Sequence, residues 1–208
     1  MPLALLLACH REPVEFPSTL APLAENRAEW PALGEEEPNV ASGGSSELWW
    51  AHARGYVQAP VADVYAALAD ADVIVDRREV DAWEVTADTE PRFDRSYTVS
   101  LVVDDVVTVN FDLTWVYEIQ AADDERDAEG TATAAIANWN KTDGTTFIDT
   151  LRGSLELRAS DEDPEITELA TIEELKASLR DDQTIAAYLR DLHASIVAAA
   201  HGEPLPGW

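Results

Sequence analysis

A handful of side chains in this sequence combine a reactive type with a setting that could make them work. Asp149 is the first. Between Thr145 and Arg158 the apolar residues Phe147, Leu151 and Leu155 occupy odd positions, the period-2 pattern of a strand with one dry face. Asp149 shares those positions, so the pattern predicts a carboxyl on the inner face. Desolvation there would raise its pKa and suit it to acid–base work, whereas a place near the strand end or beside an Arg would make it an ordinary surface acid. Tyr188 and His193 come next, both in DDQTIAAYLRDLHASIVAAAH. Tyr188 belongs to the apolar stripe of that stretch and can present a hydroxyl. His193 falls at the edge of the stripe, where exposure or a simple hydrogen bond is the ordinary outcome. Trp115 and Tyr117 share one face of the run Val107–Tyr117 with Phe111, and either line a cavity or fill a core. Leu151 and Leu192 complete the set of cavity candidates. Arg54 and Arg152 fall on wet faces, where pairing with acids is expected.

Several chemistries lack their parts. There is no Gly-x-Ser-x-Gly elbow and no Gly-rich phosphate loop, so neither an acyl-transfer nucleophile nor a nucleotide cofactor is expected. The four His and one Cys show no metal-ligand spacing, and the acids of Ala121–Gly130 lack the order and central Gly of an EF-hand loop. Asn140-Lys141-Thr142 matches a glycosylation acceptor but carries no chemistry of its own. With 41 acidic against 14 basic residues, the net charge is −27. Such a surface repels phosphate, which argues against nucleic acid and against electrostatic docking on an anionic membrane. One Cys permits no intrachain disulfide.

The elements that must position the candidates are legible in the patterning. Ile185, Tyr188, Leu189, Leu192, Ile196, Val197 and Ala200 recur at steps of three and four, which predicts a helix over 181–201. Asp181 or Asp182 can cap it, Gly202 ends it, and Pro204 prevents its resumption. Before it, Trp49–Gln58 reads as a strand, Pro60 opens a helix with apolar Val61, Val64, Tyr65 and Leu68, and a second short turn follows at Ala71–Arg77. Val80–Ala87 reads as a strand. Tyr97–Val103 and Val107–Tyr117 alternate strictly, the second over six pairs with Thr108, Asn110, Asp112, Thr114 and Glu118 on its wet side. Thr131–Trp139, Thr145–Arg158 and Glu165–Leu175 supply the remaining strands, with a turn expected at Asn140–Gly144.

The order of these elements, with the stretch Val57-Gln58-Ala59-Pro60-Val61-Ala62-Asp63-Val64-Tyr65 and the long last helix, resembles the helix-grip superfamily of START domains, Bet v 1-like proteins and polyketide cyclases. The resemblance covers about Trp49 to His201. It implies an α+β fold in which a curved antiparallel sheet of about six to seven strands grips the last helix, with one or two short helices after the first strand and a cavity between sheet and helix. It also implies an apolar small molecule or lipid as partner, and in some members an enzyme.

The chain ahead of this domain reads differently. Leu6-Leu7-Ala8-Cys9 resembles the lipobox of bacterial lipoproteins, which implies removal of the residues before Cys9 and lipidation of Cys9. That would place the protein in the cell envelope, on a membrane through a lipid anchor only. Residues 10–46 carry five Pro, the run Glu35–Glu37 and Ala41–Ser46, with little apolar periodicity, and are expected to be a mostly disordered leash, in which Leu20, Leu23, Trp30 and Leu33 are the residues that could dock, as one short helix around Ala21–Glu29. The expected divisions are 1–9, 10–46, 47–202 for the domain and 203–208 for a tail. Three functions remain in play at this point. One is non-catalytic binding of an apolar molecule. The second is a cyclase or dehydratase with Asp149, Tyr188 or His193 as acid–base groups. The third is a structural lipoprotein whose interior is filled.

Overall fold

The computed structural model describes residues 14–104, 107–120, 133–178 and 180–207. Its strands are β1 (Asn39–Ser45), β2 (Leu48–Val57), β3 (Ala82–Ala87), β4 (Arg95–Asp104), β5 (Thr108–Ile119), β6 (Ala134–Gly144), β7 (Ile148–Ala159) and β8 (Thr167–Ala177). Helix α1 (Val61–Ala67) and a 3₁₀ turn (Ala71–Val73) lie between β2 and β3, and α2 (Asp182–Ala200) closes the fold. All strands join one antiparallel, curved sheet in the order β1-β2-β8-β7-β6-β5-β4-β3. The α+β architecture is as expected from the sequence, with β1 as a strand beyond the expected number.

Helix α2 begins where Asp181 accepts hydrogen bonds from the backbone N–H groups of Gln183 and Thr184, at 3.0 and 3.2 Å. It ends at His201, and Gly202 takes the left-handed conformation with φ 67°. Ile185, Leu189, Leu192 and Ile196 are buried along its inner stripe. Burying a Leu or Ile contributes about 1.5–3 kcal/mol, so these four together supply roughly 6–12 kcal/mol, a sum comparable to the net stability of a whole domain. The helix lies chiefly on β2, whose inner residues Ala51, Ala53 and Gly55 are small enough to let it approach. Gly55 meets the His193 ring so closely that any Cβ there would collide with it. His193 is therefore buried, not exposed at the edge of the stripe.

Residues 14–46 are not a leash. Residues 14–38 form a strap across the convex face of the sheet, and Asn39–Ser45 form β1. The Leu20 backbone N–H donates to Glu118 on β5 at 2.9 Å, Asn138 on β6 donates to the Ala21 carbonyl at 3.0 Å, and the Leu23 N–H donates to the Ser154 hydroxyl on β7 at 3.1 Å. Asn26 then donates to the carbonyls of Thr171 on β8 and Ala53 on β2, and the Arg27 N–H to His52 Nδ1. Four strand intervals of about 4.8 Å make roughly 19 Å, and six residues of extended chain from Leu20 to Asn26 span about 20 Å, so the strap crosses the strands almost taut. Phe16 and Leu20 pack on Val116 and Ile136, Trp30 stacks on Tyr56 at 5.2 Å, and Arg27 lies over Trp50 at 4.5 Å. The chain then turns the sheet edge and adds β1 to β2. Hydrogen-bond donors and apolar anchors offset the ordering entropy that composition alone left uncovered.

The turn expected at Asn140–Gly144 also moves. β6 continues through those residues, which stay paired with β5 across a bulge at Asp112/Leu113, and the chain reverses at 145–147.

Candidate functional site

One row of side chains crosses the concave face. Strand register aligns Ala51, Glu173, Gly153, Trp139, Trp115 and Tyr97 on β2, β8, β7, β6, β5 and β4. Trp139 lies so close over Gly153 that a Cβ there would overlap its six-membered ring, and only Gly permits the indole to reach across β7 toward Glu173. Trp115 stacks on Trp139 with centroids 4.0 Å apart, and Tyr117 stacks on Trp115 at 6.1 Å. The hydroxyls of Tyr97 and Tyr117 meet at 2.5 Å. This half of the interior is filled.

The other half is open. Between the start of α2, the loop after the 3₁₀ turn and the ends of β4, β5, β7 and β8 lies a cavity of about 170 Å³. Its walls include Leu101, Phe111, Leu113, Leu151, Leu175 and Ile185. Tyr188 borders it and donates its hydroxyl to the Ile74 carbonyl at 2.9 Å, which ties α2 to the loop. Four charged side chains reach the walls among the described residues: Asp76, Glu79, Glu173 and Arg180. Arg180 pairs with Glu79 at 2.7 Å.

Glu173 is the unusual group. It is 3% exposed, on β8, an interior strand flanked by β2 and β7. Burial, and then the neighbouring Asp76 carboxyl, push its pKa well above the usual carboxylate range, against a smaller opposing pull from Trp139. Burial likewise raises Asp76, opposed chiefly by the Arg78 backbone N–H. Burial, followed by the Glu173 carboxyl, holds the Tyr188 hydroxyl neutral by raising its pKa. On the far side of α2, burial lowers His193 to about 4.

The candidates chosen from sequence divide into three groups. Phe111, Leu151 and Tyr188 line the cavity. Trp115, Tyr117 and Leu192 are buried packing in the filled half. Asp149 is excluded from the inner face: it is the extra residue of a bulge between Ile148 and Thr150, is exposed, and lies 3.2 Å from Lys176. The bulge resets the alternation, so Asp149 loses the parity of Leu151 and Leu155. Arg152 pairs with Glu174 at 2.7 Å, and Arg54 faces the strap, lying over Trp30 at 5.2 Å. Cys9 lies outside the described residues. Sequence reasoning missed Glu173 and Asp76. The signal for Glu173 was present, since in Thr167–Ala177 it shares odd positions with Leu169 and Leu175. Among the described residues no cluster of His, Cys and carboxylates is placed to hold a metal ion.

No family model and no curated protein sequence matches the chain. Among solved structures, the human StarD13 lipid transfer and protein localization domain superposes with a TM-score of 0.51 at 10% identity, over 80% of this chain and 83% of that one. The chain has the helix-grip fold. Similar at a lower level are the STAR-related lipid transfer protein from Xanthomonas axonopodis and the Zhui aromatase/cyclase from Streptomyces sp. R1128. The first has 15% identity and a TM-score of 0.47 over 82% of this chain and 95% of that one. The second has 14% identity and a TM-score of 0.45 over 74% and 92%. At these identities the likeness is one of fold, and the helix-grip scaffold leaves function to the site it carries.

Proposed function

We propose that this helix-grip domain binds a small apolar molecule in the cavity between α2 and the sheet, without carrying out chemistry on it. The cavity carries the reading. Its walls are mostly aliphatic and aromatic, and its volume of about 170 Å³ resembles the roughly 150 Å³ apolar cavities that take up benzene. It falls below the roughly 300 Å³ at which drug-sized pockets begin, so one ring or a short chain fits and an intact sterol does not. The acid–base set expected from sequence is dispersed: Asp149 faces Lys176, His193 sits against Gly55, and Tyr188 is engaged with Ile74. An entirely filled interior, the structural-lipoprotein reading, is at odds with the open half. The Leu6–Cys9 motif supports placing this binding at a membrane surface, with Cys9 as the lipid anchor.

Saturation-transfer NMR with toluene tests the binding. A saturable signal is expected in the unmodified chain, and Leu151→Trp, which fills the cavity, should abolish it. Absence of a saturable signal in the unmodified chain, or its persistence in Leu151→Trp, would overturn the reading.

A further inference from the structure

We infer that the cavity selects an apolar molecule carrying a protonated amine, and that Glu173 is the group that holds the ammonium. The inference rests on the reading of the cavity as a ligand site and adds the chemical class of the ligand.

The first ground is position. Glu173 is 3% exposed, borders the cavity, and has no basic side chain of the described residues contributing to its charge. Trp139 is its hydrogen-bond partner, but a buried carboxyl without a cationic partner destabilises a fold, and a Leu at the same place would complete the β8 pattern with Leu169 and Leu175. The second ground is the charge balance of the walls. Arg180 is the one base there among the described residues, and it is matched by Glu79 at 2.7 Å. Asp76 accepts the Arg78 backbone N–H at 3.1 Å and feels the Arg78 charge, which leaves Glu173 as the wall carboxyl with no base acting on it. The third is placement. On the β7 side Gly153 lets the Trp139 indole pack against Glu173, and the carboxyl borders the cavity beyond it.

Burial makes a lone charge on Glu173 costly, and an ammonium beside it offsets that cost by forming an ion pair. The amine enters with its own proton, and any proton Glu173 holds passes to solvent. A carboxylate ligand would instead meet two acids. A neutral ligand could accept a hydrogen bond from protonated Glu173, and the choice of probes separates that case.

Isothermal titration of the full chain with benzylamine, benzyl alcohol, toluene and benzoate tests the inference, all four being of the size the cavity admits. Benzylamine is expected to bind about tenfold or more tighter than toluene and benzyl alcohol, the gain of a charge-assisted hydrogen bond, and benzoate weakest. In Glu173→Gln the ratio of benzylamine to toluene affinity should fall to about one, with a cooperative melting curve showing the variant folded. Asp76→Asn should lower the same ratio, and Asp149→Asn should leave it intact, which separates the site from general attraction to an acidic surface. Equal binding of benzylamine and benzyl alcohol, or an amine preference that survives Glu173→Gln, would overturn the inference while leaving apolar binding in place. Failure of all four probes, toluene included, would remove the ligand site itself.

Discussion

A carboxyl on the wall of an apolar cavity is an unfavourable thing to bury, and Glu173 should declare that in the pH dependence of stability. Its folded-state pKa is raised by burial and by Asp76. In the unfolded chain it titrates near the usual value of about 4.3. Below that pH both states hold the proton and the group is indifferent. Above it the unfolded chain ionises freely while the fold resists, so the destabilisation grows as pH rises toward the folded pKa. Glu173→Gln is therefore expected to raise Tm at pH 7, by about 2–4 °C for each kcal/mol relieved, and to change nothing below about pH 4. Calorimetry at the two pH values checks this, and an unchanged Tm at pH 7 counts against it. Asp149 and Glu173 illustrate what the residue scale made legible. The same odd-position rule applies to both strands. It holds for Glu173 because β8 pairs regularly there, and it fails for Asp149 because one extra residue in β7 turns that side chain toward Lys176. A bulge leaves no mark in the apolar pattern.

Elements with a repeat of their own were readable, and elements without one were not. α2 and β5 declare themselves because their contacts recur at the period of their own backbone. The strap does not, because its contacts are spaced by the separation of the strands beneath it. Leu20, Ala21, Leu23 and Asn26 each meet a different strand. Such a segment looks like loop composition until the surface it crosses is known. If the strap is part of the fold, breaking one anchor should weaken the whole. Leu20 is 2% exposed among Phe16, Val116 and Ile136. Leu20→Asp places an unpaired charge there and is expected to lower stability by about 2–4 kcal/mol. Urea unfolding reads the loss, and protease cleavage within residues 14–38 should quicken in parallel. A variant with the original urea midpoint would show that the strap rests on the sheet without supporting it.

At the scale of the molecule, the strap changes the geometry that follows from the anchor proposal. A leash from Cys9 to Ser46 would reach more than about 100 Å when extended. With Phe16 seated on the sheet, the seven residue steps from Cys9 to Phe16 allow about 25 Å at most. A lipid on Cys9 would then hold the domain against the membrane surface, convex face first, although a net charge of −27 gives it no attraction to anionic lipid. Cys9→Ser should move the protein from the membrane fraction to the soluble fraction of its host, and unchanged fractionation would rule the anchor out.

The strap also fixes an order of events. Its hydrogen bonds join residues 98, 131 and 145 positions apart. It leaves the ribosome before any of the strands it crosses, and the last of its anchors to be made is the one on β8. From Leu20 to Thr171, synthesis at about 5–20 residues per second takes roughly 8–30 s. Through that interval the strap lacks its β8 anchor. The segment made first completes its contacts only when the last strand has been made.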